Sequence, residues 1–302
     1  MLDSHSSLAH FVQVWWMAIR PRTLPAALSG VITGSALAWR DGHFRLYPAL
    51  AALMVALLLQ IGSNLANDVF DFEHGADAGP RSGPQRVTQS GLLTPHQVKM
   101  GMCVVFLLAA MIGLSLVFAA GWVVIPIGAA AILAAIAYTA GPYPLGYHGL
   151  GELFVFIFFG ITAVVGTYFV QAGSTTTLAW LLSLPVGLII TGILIVNNLR
   201  DLDSDRLAGK HTLAARFGSR FARGEYLFCL ITAYLSLFLF CCLGLLPWWN
   251  LLTWLSLPLA FQTSRIVLTQ NGKPLNQALA KTGQLAFLVS VLFLFSMIIA
   301  GK

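Results

Sequence analysis

The chain has 302 residues, of which 58% are apolar and only 9% are Asp, Glu, Lys or Arg. A water-soluble domain carries roughly 25% charged residues, so this deficit excludes an ordinary soluble protein and implies an outer surface that faces hydrocarbon. The net charge of +6 comes with no compact basic domain and no nucleic-acid motif, which points to basic loops beside anionic membrane lipid and away from nucleic acid.

The N-terminus has no positively charged stretch followed by a cleavable apolar one, so the first spanning segment is expected to be retained. Nine apolar segments follow, at roughly Leu24 to Trp39, Pro48 to Asn67, Gly101 to Ala119, Trp122 to Ala140, Leu150 to Val170, Leu178 to Asn197, Tyr226 to Leu246, Leu251 to Leu268, and Leu285 to Ala300. A spanning helix needs about 20 residues, with about 17 tolerated. The expected fold is therefore all-α: a polytopic membrane protein with nine transmembrane helices, one domain over 1–302. Gly121 between the third and fourth segments, and Pro247, Trp248 and Trp249 between the seventh and eighth, predict tight hairpins with interfacial aromatics. Cys103, Cys229, Cys241 and Cys242 all lie in apolar runs without metal-site spacing and read as buried or lipid-facing thiols.

Nine spans sort the basic residues. With the N-terminus cytoplasmic, that side receives 14 of the 17 Lys and Arg residues and the other side only Arg40, Arg45 and Lys302. This inside-positive bias predicts a cytoplasmic N-terminus and a C-terminus on the opposite face. Two longer connections fall on the cytoplasmic side, near 68–98 and 198–225, and hold eight of the eleven acidic residues, among them Asp68, Asp71, Glu73, Asp77, Asp201, Asp203 and Asp205.

The first acidic end reads QIGSNLANDVFDFEHGAD. On a helix, the spacing of Asn64, Asp68 and Asp71 puts all three on one face. Gly75 then relaxes the backbone, and Asp77 either returns to the same cation or lies in solvent. The run YTAGPYPLGYHGLGE offers Tyr138 and Tyr143 as pocket-lining or interfacial aromatics, and Glu152 as a carboxylate at the mouth of an apolar segment. The second acidic end reads VNNLRDLDSDRLAGK, in which Asn197, Asp201 and Asp205 form a four-residue ladder, Asp203 points away and Gly209 ends the helix before Lys210.

Close carboxylates repel unless a cation compensates them. Oxygen-only ligands favour a hard cation, and Mg2+ commonly bridges carboxylates to substrate phosphates. Two such ends suit a diphosphate held between them, with Asn64, Asp68, Asp71, Asp201 and Asp205 as candidate metal ligands. Arg22, Arg81, Arg86, Arg206 and Lys210 are candidates to neutralise the remaining charge. A lipid diphosphate fits such a membrane-surface site, because its tail can lie between helices while metal stabilises the departing headgroup.

With these residues in view, the sequence resembles the UbiA superfamily of membrane prenyltransferases. The resemblance runs from RPRTLPAALSG through LAARFG, about two-thirds of the chain. Asp68, Asp71, Gly75 and Asp77 are similar to the pattern DxxDxxxGxD, and GPQRVTQSGLLTP, YTAGPYPLGYHGLGE and NNLRDLDSDRLAGKHTLAARFG are similar to loops of the branch that prenylates 1,4-dihydroxy-2-naphthoate. The resemblance implies helices around a central cavity in a bacterial cytoplasmic membrane. It also implies Mg2+-dependent transfer from an all-trans-polyprenyl diphosphate to 1,4-dihydroxy-2-naphthoate, with loss of CO2, giving demethylmenaquinone after oxidation. Carried over by position, Asn64 and Asp68 resemble the first metal ladder with Asp71 and Asp77 completing it, and Asp201 and Asp205 the second with Asn197 one turn before. Lys210 and Arg22 look like contacts to diphosphate or an acidic acceptor. The alternatives are a related enzyme with another acceptor such as 4-hydroxybenzoate, and an ion-coupled transporter, which should carry structural repeats and a midplane site.

Overall fold

In hydrocarbon every backbone amide must find its partner inside the protein, and a long apolar run does so most simply as a helix. The computed structural model describes residues 4–76 and 82–301, and its regular elements are all helical. In chain order these are α1 Ser4–Ile19, α2 Leu24–Arg40, α3 Leu46–Glu73, α4 Pro95–Ser115, α5 Val117–Ala120, α6 Val124–Ala137, α7 Gly151–Val155, α8 Ala163–Ala172, α9 Thr177–Arg200, α10 Leu202–Leu207, α11 Leu213–Cys242, α12 Leu257–Thr269 and α13 Leu275–Ala300. A π-helical segment, Phe156–Thr162, joins α7 to α8, and a 3-10 segment, Trp248–Ser256, leads into α12.

Seven of the described helical stretches are long and apolar enough to cross a membrane: Leu46–Glu73, Pro95–Ala120, Gly151–Ala172, Thr177–Arg200, Leu213–Cys242, Trp248–Thr269 and Leu275–Ala300. Leu24–Arg40, with 17 residues, and Val124–Ala137, with 14, are shorter, so the expected count of nine spans is met by length for seven only. Helix α1 was not among the expected segments. It buries Val14 and Ala18 and leaves Phe11, Val12 and Trp16 exposed.

Two expected loop boundaries move. The first acidic connection ends at Thr94, because its side chain and that of Gln97 form a reciprocal capping box that starts α4 at Pro95. The second is largely helical: α10 fills its first part, and Thr212 caps α11 well before Tyr226. Gly218, at φ 85°, kinks α11 within its second turn.

The larger core joins α2, α9, α11 and α13, and a smaller one joins α1, α3 and α4. Without a hydrophobic force between helices in lipid, close approach depends on small residues. Gly30 on α2 faces Ala163, and Gly160 in the π segment lies against Gly187 on α9, where an added Cβ would stand 2.7 Å from the Gly187 Cα and 3.0 Å from the Ser183 carbonyl oxygen. Gly160→Val is therefore expected to lower stability by about 1–3 kcal/mol, the usual cost of overpacking. Thermal unfolding of purified protein in detergent checks this, and an unchanged midpoint would show that α9 can yield.

The C-terminal ends of α3 and α9 and the N-terminal ends of α11 and α13 meet at one pole of the bundle, as antiparallel packing through short connections requires.

Candidate active site

Helix α3 runs unbroken to Glu73, so Asn64, Asp68 and Asp71 lie along one buried face as their spacing predicts. Gly75, at φ 69°, turns the chain away. The connection then folds back over this face. Asp68 accepts the backbone N–H groups of Val87 at 3.2 Å on Oδ2 and Thr88 at 3.0 Å on Oδ1, and Arg20 stands 3.6 Å from Oδ2. Arg86, carried in by the same loop, donates to the Asn67 carbonyl at 2.6 Å and to the Asp71 carboxylate.

Asp71 is the focus of this end. Besides Arg86 it accepts from the Tyr147 hydroxyl and, at 3.1 Å, from Lys210 Nζ. Lys210 lies over the Tyr147 ring, 4.4 Å from its centroid, and its ammonium is also 4.0 Å from Asp205. One lysine therefore ties the acidic end of α3 to that of α9 and α10.

The second ladder is bent but intact. Asp201, at φ −96°, separates α9 from α10, while its N–H still bonds the Asn197 carbonyl at 3.1 Å and its own carbonyl accepts from Asp205 at 2.8 Å. The buried Arg200 organises this end: it donates to Asp201 Oδ1 at 2.8 Å, to Asn197 Oδ1 at 2.8 Å and to Asn276 Oδ1 at 2.9 Å on α13. Asn276 in turn donates to the Ser82 carbonyl at 2.8 Å, closing the first loop against the second.

The other sequence candidates are placed unevenly. Asn64 is buried, but its amide nitrogen bonds the Ile19 carbonyl and Thr23, each at 2.9 Å, so it anchors the entry to α2. Arg22 is exposed at that entry. Tyr138 is half-buried beside Gly146 and Gly151, in the electric field of Glu152, Asp71 and Asp205, whereas Tyr143 is exposed and stacked on His148 at 3.5 Å. Asp203 is exposed, as expected, and Glu73 pairs at the surface with Lys99 at 2.7 Å. Arg206 is also exposed and holds the Ala215 carbonyl. Asp77 and Arg81 lie outside the described residues. Tyr147, Arg20 and Arg200 were not singled out from the sequence; only the flanking position of Arg200 beside Asp201 could have pointed to it.

The five candidate metal ligands do not all converge. Among the described residues no three His, Cys, Asp or Glu side chains surround one point, and the Lys210 ammonium stands between Asp71 and Asp205. The chemistry still suits a hard divalent ion, since Asp71, Asp201 and Asp205 offer only oxygen. Burial, together with the Asp201 and Asp71 carboxylates, pushes Asp205 up to about 7, against the pull of Lys210 and Arg200. Lys210 stands no closer than 4.0 Å to Asp205, and a divalent cation beside that carboxylate would supply closer compensation. The residues therefore fit the group, with Lys210 displaced.

Residues 27–297 match the model of the UbiA prenyltransferase family. The chain is 37% identical over 297 residues to the 1,4-dihydroxy-2-naphthoate octaprenyltransferase of Escherichia coli (strain K12), covering 95% of this chain and 96% of that protein. Among solved structures, the apo form of a UbiA homologue from Aeropyrum pernix K1 aligns with a TM-score of 0.72 at 16% identity, over 94% of this chain and all of that one. A UbiA homologue from Archaeoglobus fulgidus bound to DMAPP and Mg2+ aligns with a TM-score of 0.60 at 13% identity, over 94% of this chain and 99% of that one. The fold is thus all-α, polytopic and UbiA-like.

Proposed function

We infer, since this chain belongs to the UbiA prenyltransferase family, that it transfers a polyprenyl group from an all-trans-polyprenyl diphosphate to 1,4-dihydroxy-2-naphthoate with loss of CO2. The product, once oxidised, is demethylmenaquinone, an intermediate of menaquinone biosynthesis. The observation that carries the donor half is the meeting of Asp71 and Asp205 across Lys210, with Arg86 and Arg200 beside them. Such a pole, at the membrane-facing ends of helices, can hold a diphosphate while its apolar chain lies among the spans. The acceptor half is supported by the identity with the Escherichia coli octaprenyltransferase over nearly both full lengths.

Mg2+ at Asp71, Asp201 and Asp205 would neutralise charge on the departing diphosphate and so ease ionisation of the allylic carbon. Lys210 and Arg86 then complete the diphosphate's compensation from the protein side, and the surrounding helices exclude water from the allylic cation.

The same reading extends to the membrane. Nine spans follow if α2 and α6 cross as well as the seven longer stretches; at about 1.5 Å per residue they reach roughly 25 and 21 Å, short of a full hydrocarbon core unless flanking turns complete them. In a bacterial inner membrane, the expected location, the charge asymmetry supports a cytoplasmic acidic pole and N-terminus with the C-terminus opposite.

The test is an assay of purified protein with a long-chain polyprenyl diphosphate, with and without Mg2+, following prenylated product and CO2. Metal-dependent product and CO2 with 1,4-dihydroxy-2-naphthoate, and none with 4-hydroxybenzoate, is the expected result. Turnover of the benzoate alone would move the protein to another acceptor class, and turnover of neither would overturn the reading.

A further inference from the structure

Glu152 opens α7 near the acidic pole and is only 8% exposed. Its Oε1 accepts from Asn198 Nδ2 at 2.9 Å, which fixes the plane of the carboxyl group. Its Oε2 is buried with no hydrogen-bond partner among the described residues. A buried carboxyl oxygen is costly to leave unpaired, and native proteins retain one where something outside the chain completes it.

The surroundings narrow what that is. Neither lysine nor arginine pairs with Glu152 among the described residues; the charged group near it is another carboxyl, Glu225 on α11. A partner for the ionised carboxylate must donate a hydrogen bond, and an anionic group facing this point would be repelled. On the other side stands Tyr138, with Gly151 packed on its hydroxyl, and Tyr138 lies also in the field of Asp71 and Asp205. Tyr138 thus lies within electrostatic reach of both Glu152 and the carboxylates of the pole. Directly after α7 the helix widens into the π segment Phe156–Thr162, a distortion that re-aims side chains and recurs at functional sites.

We infer that Glu152 Oε2 receives a ring hydroxyl of the aromatic acceptor, an assignment that rests on the acceptor class proposed above. The acceptor's own carboxylate, ortho to that hydroxyl, then lies on its far side from Glu152, toward the basic residues of the pole. As the ring carbon that carries the carboxylate, ortho to the hydroxyl, bonds the allylic carbon, the allylic C–O bond breaks and its electron pair leaves with the diphosphate. The hydroxyl proton passes to Glu152 while the O–H pair feeds the ring. Loss of the acceptor carboxylate as CO2 returns its bonding pair to the ring, and the proton goes back from Glu152 to the oxygen. The hydroquinone is left with no oxidant consumed.

The experiment compares full-length wild type with Glu152→Gln, which keeps the size of the side chain and an oxygen for Asn198. Each is held in lipid nanodiscs and titrated without metal against 1,4-dihydroxy-2-naphthoate and against 1,4-dimethoxy-2-naphthoate, which has no hydroxyl proton to donate. Binding of geranyl diphosphate with Mg2+ is measured in parallel. Wild type is expected to prefer the dihydroxy compound by about tenfold or more, in keeping with a site built to bond a hydroxyl, and Glu152→Gln to lose most of that preference with donor affinity unchanged. A preference that survives in Glu152→Gln overturns the inference alone, and so does a parallel loss of donor binding, which would mark a purely structural carboxyl. Wild type that fails to bind the dihydroxynaphthoate at all overturns the acceptor assignment and this inference with it.

Discussion

Asp71→Asn is expected to lower turnover by about 10²- to 10³-fold, the range for removing one preorganised electrostatic partner from a reacting centre. Asp71 accepts from Arg86, Tyr147 and Lys210 at once, and it is 2% exposed. Asparagine keeps the shape but not the charge, so two cations lose their common anion and any metal loses an anionic oxygen. Breaking a buried pair from one side costs about 3–5 kcal/mol, so part of the loss could arise from unfolding. Quantifying folded protein by size-exclusion fluorescence separates the two effects, with activity expressed per folded molecule. Glu73→Gln, two residues on, supplies the contrast: Glu73 pairs with Lys99 at the surface, where such a pair contributes about 0–1 kcal/mol, and turnover should stay within about twofold. Near-normal turnover in Asp71→Asn would remove Asp71 from the reacting pole.

These contrasts show where the sequence is legible. Helical spacing alone places Asn64, Asp68 and Asp71 on one face, because α3 is regular there and its apolar neighbours leave one polar stripe. Gly75 and Gly209 both adopt positive φ where the chain must leave a helix, as their positions predict. What periodicity does not carry is which way a polar group is used once loops return. Asn64 reads as a metal ligand because it precedes Asp68 by one turn, yet its amide meets Ile19 and Thr23, partners from a different stretch of chain. Tyr147 reaches Asp71 only through the 3-10 turn Leu145–His148, a geometry with no hydrophobic period to betray it, whereas Tyr143 four residues earlier faces outward. Helix α1 escaped because serines, His5, His10 and Gln13 interrupt its apolar run. The fold and the acidic pole are local in sequence; the partners that position each carboxylate are not.

Lys210 is where that long-range assembly has its largest functional consequence. Its ammonium lies 3.1 Å from Asp71 and 4.0 Å from Asp205, so in this state it does for the two carboxylates what a divalent cation would do. Unit charges about 4 Å apart attract by about 4 kcal/mol at an effective dielectric constant of about 20, enough to make metal entry a competition with the lysine. Lys210→Met removes the competitor and, at the same time, a counter-charge for the donor diphosphate. Two opposite changes follow from the one substitution. Binding of Mn2+, measured by electron paramagnetic resonance without donor, should tighten by about tenfold, the equivalent of roughly 1.4 kcal/mol and thus a fraction of the lost attraction. Turnover with saturating Mg2+ should fall by about 10²-fold, with a raised KM for polyprenyl diphosphate, since the positioned cation no longer meets the phosphate. A structural role for Lys210 would weaken metal and donor binding together, because the two loops would no longer be tied. Tighter metal binding with weaker donor use is therefore the pair of results that identifies Lys210 as a tethered cation that yields its place to the metal and moves onto the diphosphate.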